Sequence, residues 1–435
     1  MFGELDMPEV ELLLSKVQDR KKEKSTKFLI WAGFFVYLLM MGSKNVYTAE
    51  VAAIQLAFNK TKAEASLAMT YYFITYAIGQ LVIAPLFKKI NLKVFLTVTM
   101  GLSSLVTILL GVSPSMELLY LLCAINGVLQ AGVYSGVMAV VSKYAPARLL
   151  PYANKVMSAG GAIYGVISYG VPAIFVGLGL WNVPFILLGI IFAISVAVFF
   201  LAIQNMKKYP PEIAEEGDKK HVVTNEPMYI DVGSKGKKIK YFAIMSLISF
   251  LGYSMYAFLM QWVPSLLHEE FNMDLSYSIL ITLLVPVACF LGSLVSISLC
   301  EKYKNVFNVG LVLTLIAMIF FVPMLFFYNV NIVFTIVCVV AFIAICSAGR
   351  VVYLGILAFK MRAHVNTGTY LAFLNALMAL IAGVAPPIAG LIIDGYSYGH
   401  LFWLIFSVGI MFMALMFVAS IMVKRTAKEN EKTSK

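Results

Sequence analysis

Twelve apolar stretches dominate the chain, each about as long as a helix needs to be to cross a bilayer. They cover residues 28–49, 65–85, 94–112, 118–141, 152–176 and 184–203, then 241–266, 276–299, 307–327, 333–359, 370–393 and 401–423. A hydrocarbon core about 30 Å thick takes about 20 residues of apolar helix per crossing. Of the 435 residues 61% are hydrophobic and 13% charged, and the mean hydropathy is +0.88. Soluble domains carry about 25% charged residues, so lipid here replaces the water-shielded core. The expected fold class is an all-α membrane protein with twelve transmembrane helices.

The net charge of +11 invites a nucleic-acid partner, but the positions of the charges speak against one. With the N-terminus inside, nearly all of the 33 lysines and arginines fall in inside segments. The exceptions are Lys60 and Lys62 in an outer loop, and Lys44 and Arg350 within apolar stretches. Such a bias orients a multi-pass protein in the cell (inner or plasma) membrane, with both termini cytoplasmic. The basic charge is therefore a topogenic signal, and the bilayer is the expected partner. A chain of this kind is expected to be monomeric.

Cys123, Cys289, Cys300, Cys338 and Cys346 lie in or at the ends of apolar runs and show neither metal nor disulfide spacing. His221, His268, His364 and His400 fall in loops or at span ends. There is no phosphate-cradling loop, zinc spacing or nucleophile elbow. An enzyme, a cofactor and a metal site are all unexpected. The first apolar run is long enough to span and follows charged residues, so a cleavable signal peptide is not expected either.

Residues 1–27 read as a cytoplasmic segment, in which Val10, Leu13, Leu14 and Val17 at helical spacing fit a short interfacial helix or a solvated amphipathic tail. Residues 28–206 and 241–424 read as two six-helix halves, and 425–435 as a cytoplasmic tail. Between the halves, residues 207–240 hold Pro210, Pro211, Gly217, Gly233 and Gly236 among charges, a linker composition. The halves repeat weakly at an offset of about 215 residues. Gly79-Gln80-Leu81 answers Gly292-Ser293-Leu294, and Ala131-Gly132-Val133 answers Ala348-Gly349-Arg350. Lys27-Phe28 answers Lys240-Tyr241-Phe242, and Pro172 answers Pro386-Pro387. Two parallel, pseudo-symmetric halves with substrate between them form a known membrane architecture.

These residues resemble the major facilitator superfamily, and the likeness covers nearly the whole chain. Tyr76-Ala77-Ile78-Gly79-Gln80-Leu81-Val82 with Pro85-Leu86 is similar to the end of that family's second span. The acidic-basic pair and glycine that usually follow are replaced by Lys88-Lys89-Ile90-Asn91-Leu92-Lys93. The second half keeps a fuller version, from Gly292 to Glu301-Lys302, which the resemblance casts as gating residues. Gly127 to Gly132 resembles the fourth span, and Trp181-Asn182-Val183-Pro184-Phe185 the start of the sixth. Within the family, organophosphate and organic-anion exchangers carry a cation before an asparagine in the first span, similar to Ser43-Lys44-Asn45. Their fourth span resembles Gln130, Gly132 and Tyr134. Their seventh carries an arginine before Trp-x-Pro, where this chain has Tyr256 before Trp262-Val263-Pro264. The exporter signature of glycines before a proline in the fifth span is not matched at Gly165 and Gly170-Val171-Pro172, and Gly127 stands where exporters have arginine.

Ionisable groups inside spans are costly and mark function by default. Arg350 and Lys44, one from each half, are the leading candidates for holding an anion, through a guanidinium fork and an ammonium point charge. Lys44 also admits a blander role, snorkelling outward or pairing with Glu50. Glu50 is a candidate for proton coupling, or else sits at the outer mouth or pairs with a cation. Asn126, Gln130 and Tyr134 recur every four residues on one face of span four, and Cys346, Arg350 and Tyr353 share a face of span ten. Asn45, Tyr256 and Asn375 complete the candidate binding set. Of the many tyrosines in the spans, including Tyr164, Tyr169 and Tyr253, a few are expected to line the cavity and most to pack. The expected function is transport of a small organic anion by alternating access, through exchange or ion coupling. The alternatives are a proton-coupled exporter of amphipathic compounds and a transport-inactive membrane receptor or sensor.

Overall fold

The structure is a computed structural model that describes residues 7–86, 89–209, 235–303, 306–352 and 367–433. Every regular element among them is helical. The first half comprises α1 (Met7–Ala57), α2 (Lys62–Leu86), α3 (Leu92–Gly111), α4 (Met116–Gln130), α5 (Val133–Tyr144), α6 (Leu150–Val176) and α7 (Val183–Met206). The second comprises α8 (Lys235–Met260), α9 (Val263–Phe271), α10 (Leu275–Thr282), α11 (Leu284–Lys302), α12 (Val306–Phe321), α13 (Met324–Phe327), α14 (Ile332–Val351), α15 (Thr367–Gly395) and α16 (Tyr398–Thr433). Eleven segments among the described residues are long and apolar enough to cross a membrane, and α6 adds the shorter apolar stretch Ile163–Val176. The expected interfacial segment is helical, but it runs without interruption into the first span as a 51-residue helix. The expected linker lies largely outside the described residues, and α8 already begins at Lys235.

Four spans are split, and three splits have a common cause. A proline brings no N–H to the carbonyl four residues earlier. Pro264 thus leaves Met260, where α8 stops, and Pro286 leaves Thr282, where α10 stops. Pro323, which leaves the Ile319 carbonyl, stands at the break itself, between the end of α12 at Phe321 and the start of α13. Span four breaks instead at Ala131-Gly132, between α4 and α5. Pro172, Pro386 and Pro387 are absorbed inside unbroken helices. The carbonyl released by Pro387 belongs to Gly383, and Thr70 of α2 donates its hydroxyl to it at 2.6 Å. A backbone group that lipid would leave unsatisfied is thereby satisfied by the opposite half.

The two halves repeat each other's packing. In the first, α2 lies on α4, α3 on α7 and α1 on α7; in the second, α11 lies on α14, α12 on α16 and α8 on α16. Between them α2 runs along α15, and α6 along α10 and α11. That reciprocal pairing is what a pseudo-twofold axis through the centre requires. Large apolar side chains such as Ile194, Leu201 and Ile319 point outward, as a lipid-facing surface requires.

On the face opposite the two termini the halves are tied by charge. Lys62, nearly buried at the start of α2, places its ammonium 3.0 Å from Glu269 and 3.5 Å from Asp394. The other oxygen of Asp394 accepts from the backbone N–H groups of Lys62 and Ala63, at 2.8 and 3.3 Å. A carboxylate from one half thus caps the positive end of a helix in the other. The approach needs Gly390, where a Cβ would stand 2.7 Å from the Ala63 nitrogen. In the loop before α10, the Ser276 N–H beside Asp274 holds that carboxyl below the usual carboxylate range.

Candidate substrate cavity

A cavity of about 400 Å³ lies between the halves, lined by α1, α2 and α6 on one side and by α8, α11, α14 and α15 on the other. Lys44, Asn45 and Thr48 reach it from successive turns of α1, which runs from the termini face toward the opposite one. Arg350 and Ser347, three residues apart on α14, reach it from across. Close packing behind the wall is set by small residues. Thr75 of α2 donates to the Ala124 carbonyl of α4 at 2.7 Å, and Gly127 lets the α2 backbone come against α4.

Each cation is framed by aromatic rings. The Lys44 ammonium stands 5.2 Å from the Phe73 ring and 5.8 Å from that of Tyr72. The Arg350 guanidinium stands 5.8 Å from Tyr256 and 6.0 Å from Tyr253, two rings stacked 5.5 Å apart. It donates a long hydrogen bond, 3.5 Å, to the Ser347 hydroxyl. Ring faces attract cations without neutralising them. No ion pair forms to Lys44 or Arg350 among the described residues, and no carboxylate lines the cavity. The result is a chamber with two cationic side chains for which the described residues supply no counter-charge. The pairing of Lys44 with Glu50, weighed from sequence, does not form.

The other sequence candidates divide by position. Asn45 and Tyr256 line the cavity. Asn126 and Gln130 stand behind it: the Gln130 amide donates to Ser103 at 2.9 Å and Asn126 at 3.2 Å, and accepts from the Tyr72 hydroxyl at 2.7 Å. Ser103 donates to Asn126 at 2.6 Å. This buried network braces the ring beneath Lys44. Tyr134 packs its ring 5.0 Å from Tyr37, and Asn375 is exposed on α15; neither lines the cavity. Glu50 is fully buried on α1 with neither carboxylate oxygen hydrogen-bonded. Lys302 is exposed at the end of α11, against Tyr303. Tyr353 and the Glu301 side chain lie outside the described residues.

Sequence reasoning missed Gln261, Ser347 and the Lys62–Glu269–Asp394 cluster. Gln261 had a signal, since it immediately precedes the Trp-x-Pro that breaks span seven. The ion cluster had none, because its members lie far apart in the chain.

Two pseudo-symmetric six-helix halves enclosing a central polar cavity make a membrane transporter fold. Residues 33–366 match the model of the Major Facilitator Superfamily, and the chain belongs to that superfamily. It is 26% identical over 239 residues to an uncharacterized transporter, YybO, of Bacillus subtilis (strain 168), an alignment taking in 53% of this chain and 54% of that protein. It is 22% identical over 200 residues to an uncharacterized transporter of Buchnera aphidicola subsp. Schizaphis graminum (strain Sg), covering 45% and 48%. The chain spans about half the length of the curated relatives it matches. Among solved structures it resembles a bacterial homolog of the human lysosomal transporter Spinster in an inward-facing, unoccupied conformation, with a TM-score of 0.70, 16% identity, and coverage of 92% and 98%. It also resembles a mutant form of the nucleoside transporter NupG, with a TM-score of 0.63, 13% identity, and coverage of 92% and 99%.

Proposed function

We propose that the protein is a secondary transporter that carries a small organic anion, a carboxylate or a phosphate ester, by alternating access of its two halves. The observation that carries this reading is a pair of cations, Lys44 from one half and Arg350 from the other, that face one cavity with no carboxylate or ion-pair partner among the described residues. An uncompensated charge away from bulk water is costly, and an anion relieves two such costs at once. The substrate then bridges the halves, so its arrival and departure bias their rocking. Exchange or a coupled cation supplies the driving force. The Lys62 ion pairs act as the gate on the face opposite the termini, which is the outer face in a monomer with cytoplasmic termini in the cell membrane. Lys302 with Glu301 is the corresponding candidate on the termini face.

The test is uptake and counterflow in proteoliposomes with phosphate esters, mono- and dicarboxylates and cationic dyes. Anion transport that is lost in Arg350→Ala and weakened in Lys44→Ala supports the reading. Anion transport that persists unchanged in Arg350→Ala sinks it.

One observation favours a second reading, proton-coupled export of amphipathic compounds. Glu50 is buried with both oxygens unpartnered, as suits a carboxyl that carries a proton through a transport cycle. That reading predicts dye efflux abolished in Glu50→Gln and preserved in Arg350→Ala.

A further inference from the structure

Gln261 is the one cavity-lining side chain, among the described residues, with a buried hydrogen-bonding atom left without a partner. It is 4% exposed, and its amide nitrogen has no acceptor. A buried donor left unmade costs about 1–3 kcal/mol, so a fold keeps one where something else will bond it. The residue is held rigidly. It occupies the two-residue break between α8 and α9, and the adjacent Trp262, fully buried, donates its indole N–H to the Pro386 carbonyl at 3.0 Å.

The surroundings of Gln261 supply complementary groups. Pro264 brings no N–H to the Met260 carbonyl, and Pro386 brings none to that of Ala382; Met260 and Ala382 both line the cavity. Thr48 adds a hydroxyl, one turn beyond Lys44 on α1. An amide, a hydroxyl and backbone carbonyls are thus offered by these lining residues, and none of the groups carries charge. The cations lie toward the other end. Tyr256 on α8 faces Arg350, and Gln261 lies five residues further along the same span, just past the end of α8, about 7.5 Å at a helical rise.

We infer that this end of the cavity is a neutral subsite for the hydroxylated part of the substrate. The transported anion, on the reading above, is a hydroxylated one whose acidic group sits at Arg350 and Lys44 while a hydroxyl some way along its chain bonds Gln261. A hydroxyl both donates and accepts, so it serves either orientation of the Gln261 amide and also reaches the carbonyls that the prolines leave open. An aliphatic anion of the same length leaves all of these unbonded. Sites built to bond a hydroxyl discriminate strongly against analogues that lack it.

The experiment pairs each hydroxylated probe with its deoxy counterpart: gluconate with hexanoate, and glycerol phosphate with propyl phosphate. Inhibition of anion counterflow is measured in the unmodified protein, in Gln261→Met and in Gln261→Leu. In the unmodified protein the hydroxylated member of at least one pair is expected to compete at least tenfold better. In the variants that ratio is expected to fall to within about threefold, mainly through weaker binding of the hydroxylated probe. If the variants do not fold, the ratio in the unmodified protein decides: equal competition within both pairs overturns the subsite. So does a ratio that survives in both variants. Should no anion of any kind compete, it is the anion reading that fails. Should anions compete regardless of hydroxylation, that reading stands and only the subsite fails.

Discussion

Arg350 is framed by two stacked tyrosines, and its planar guanidinium can meet an anion with two parallel hydrogen bonds. Arg350→Lys keeps the charge but loses the fork and the ring stacking. It is expected to raise the apparent KM for the transported anion by at least tenfold, whereas Arg350→Ala abolishes uptake; initial-rate kinetics in proteoliposomes separate the two. Gln130 shows the opposite situation, a polar residue whose bonds are all made inside the protein. Gln130→Leu strands the Tyr72 hydroxyl and deprives Asn126 and Ser103 of a donor. It should cost about 1–3 kcal/mol of stability, read as a lower melting temperature, and leave the order of preference among anions unchanged. A reversed preference would mean that Gln130 touches substrate after all.

At the scale of elements, the joint between α2 and α15 is where the halves are latched. It combines an ion pair, a helix cap and a glycine contact within one turn of each helix. Asp394→Ala removes both the pair and the cap, while Asp394→Asn keeps a capping oxygen and loses only the charge. Spin labels at Lys60 and Tyr396 should report a longer, broader distance distribution in Asp394→Ala and an intermediate one in Asp394→Asn. Gly390→Val should open the joint sterically to a similar extent. Unchanged distributions in all three would show that the latch does not hold this face closed. Further along α2, Thr70 bonds the carbonyl that Pro387 releases, so Thr70→Val should weaken the same joint and lower the melting temperature.

For the whole molecule, the proposed function makes the anion a ligand of the folded state, which it should stabilise by mass action, about 2.7 kcal/mol at a hundredfold excess over Kd. The melting temperature of the detergent-solubilised protein should therefore rise with the transported anion, and not in Arg350→Ala. Much of the architecture was readable beforehand. The twelve apolar runs, the offset of about 215 residues and the paired prolines are local or periodic signals, and lipid leaves a long apolar run few alternatives to a helix. The cations were readable for the same reason: charge stands out against an apolar background.

What the sequence by itself determined, then, is the series of apolar spans, their division into halves and the two isolated charges, because hydropathy and charge act residue by residue. The tertiary structure alone decided which polar residues face the cavity. Asn126 and Gln130 looked like cavity residues by helical spacing, yet spacing defines only a shared face and not what that face meets. They meet Ser103 and Tyr72, while Gln261, marked in sequence only by the Trp-x-Pro that follows it, lines the cavity. The Lys62–Glu269–Asp394 joint likewise depends on bringing together residues as much as 332 positions apart, and no local signal encodes that approach.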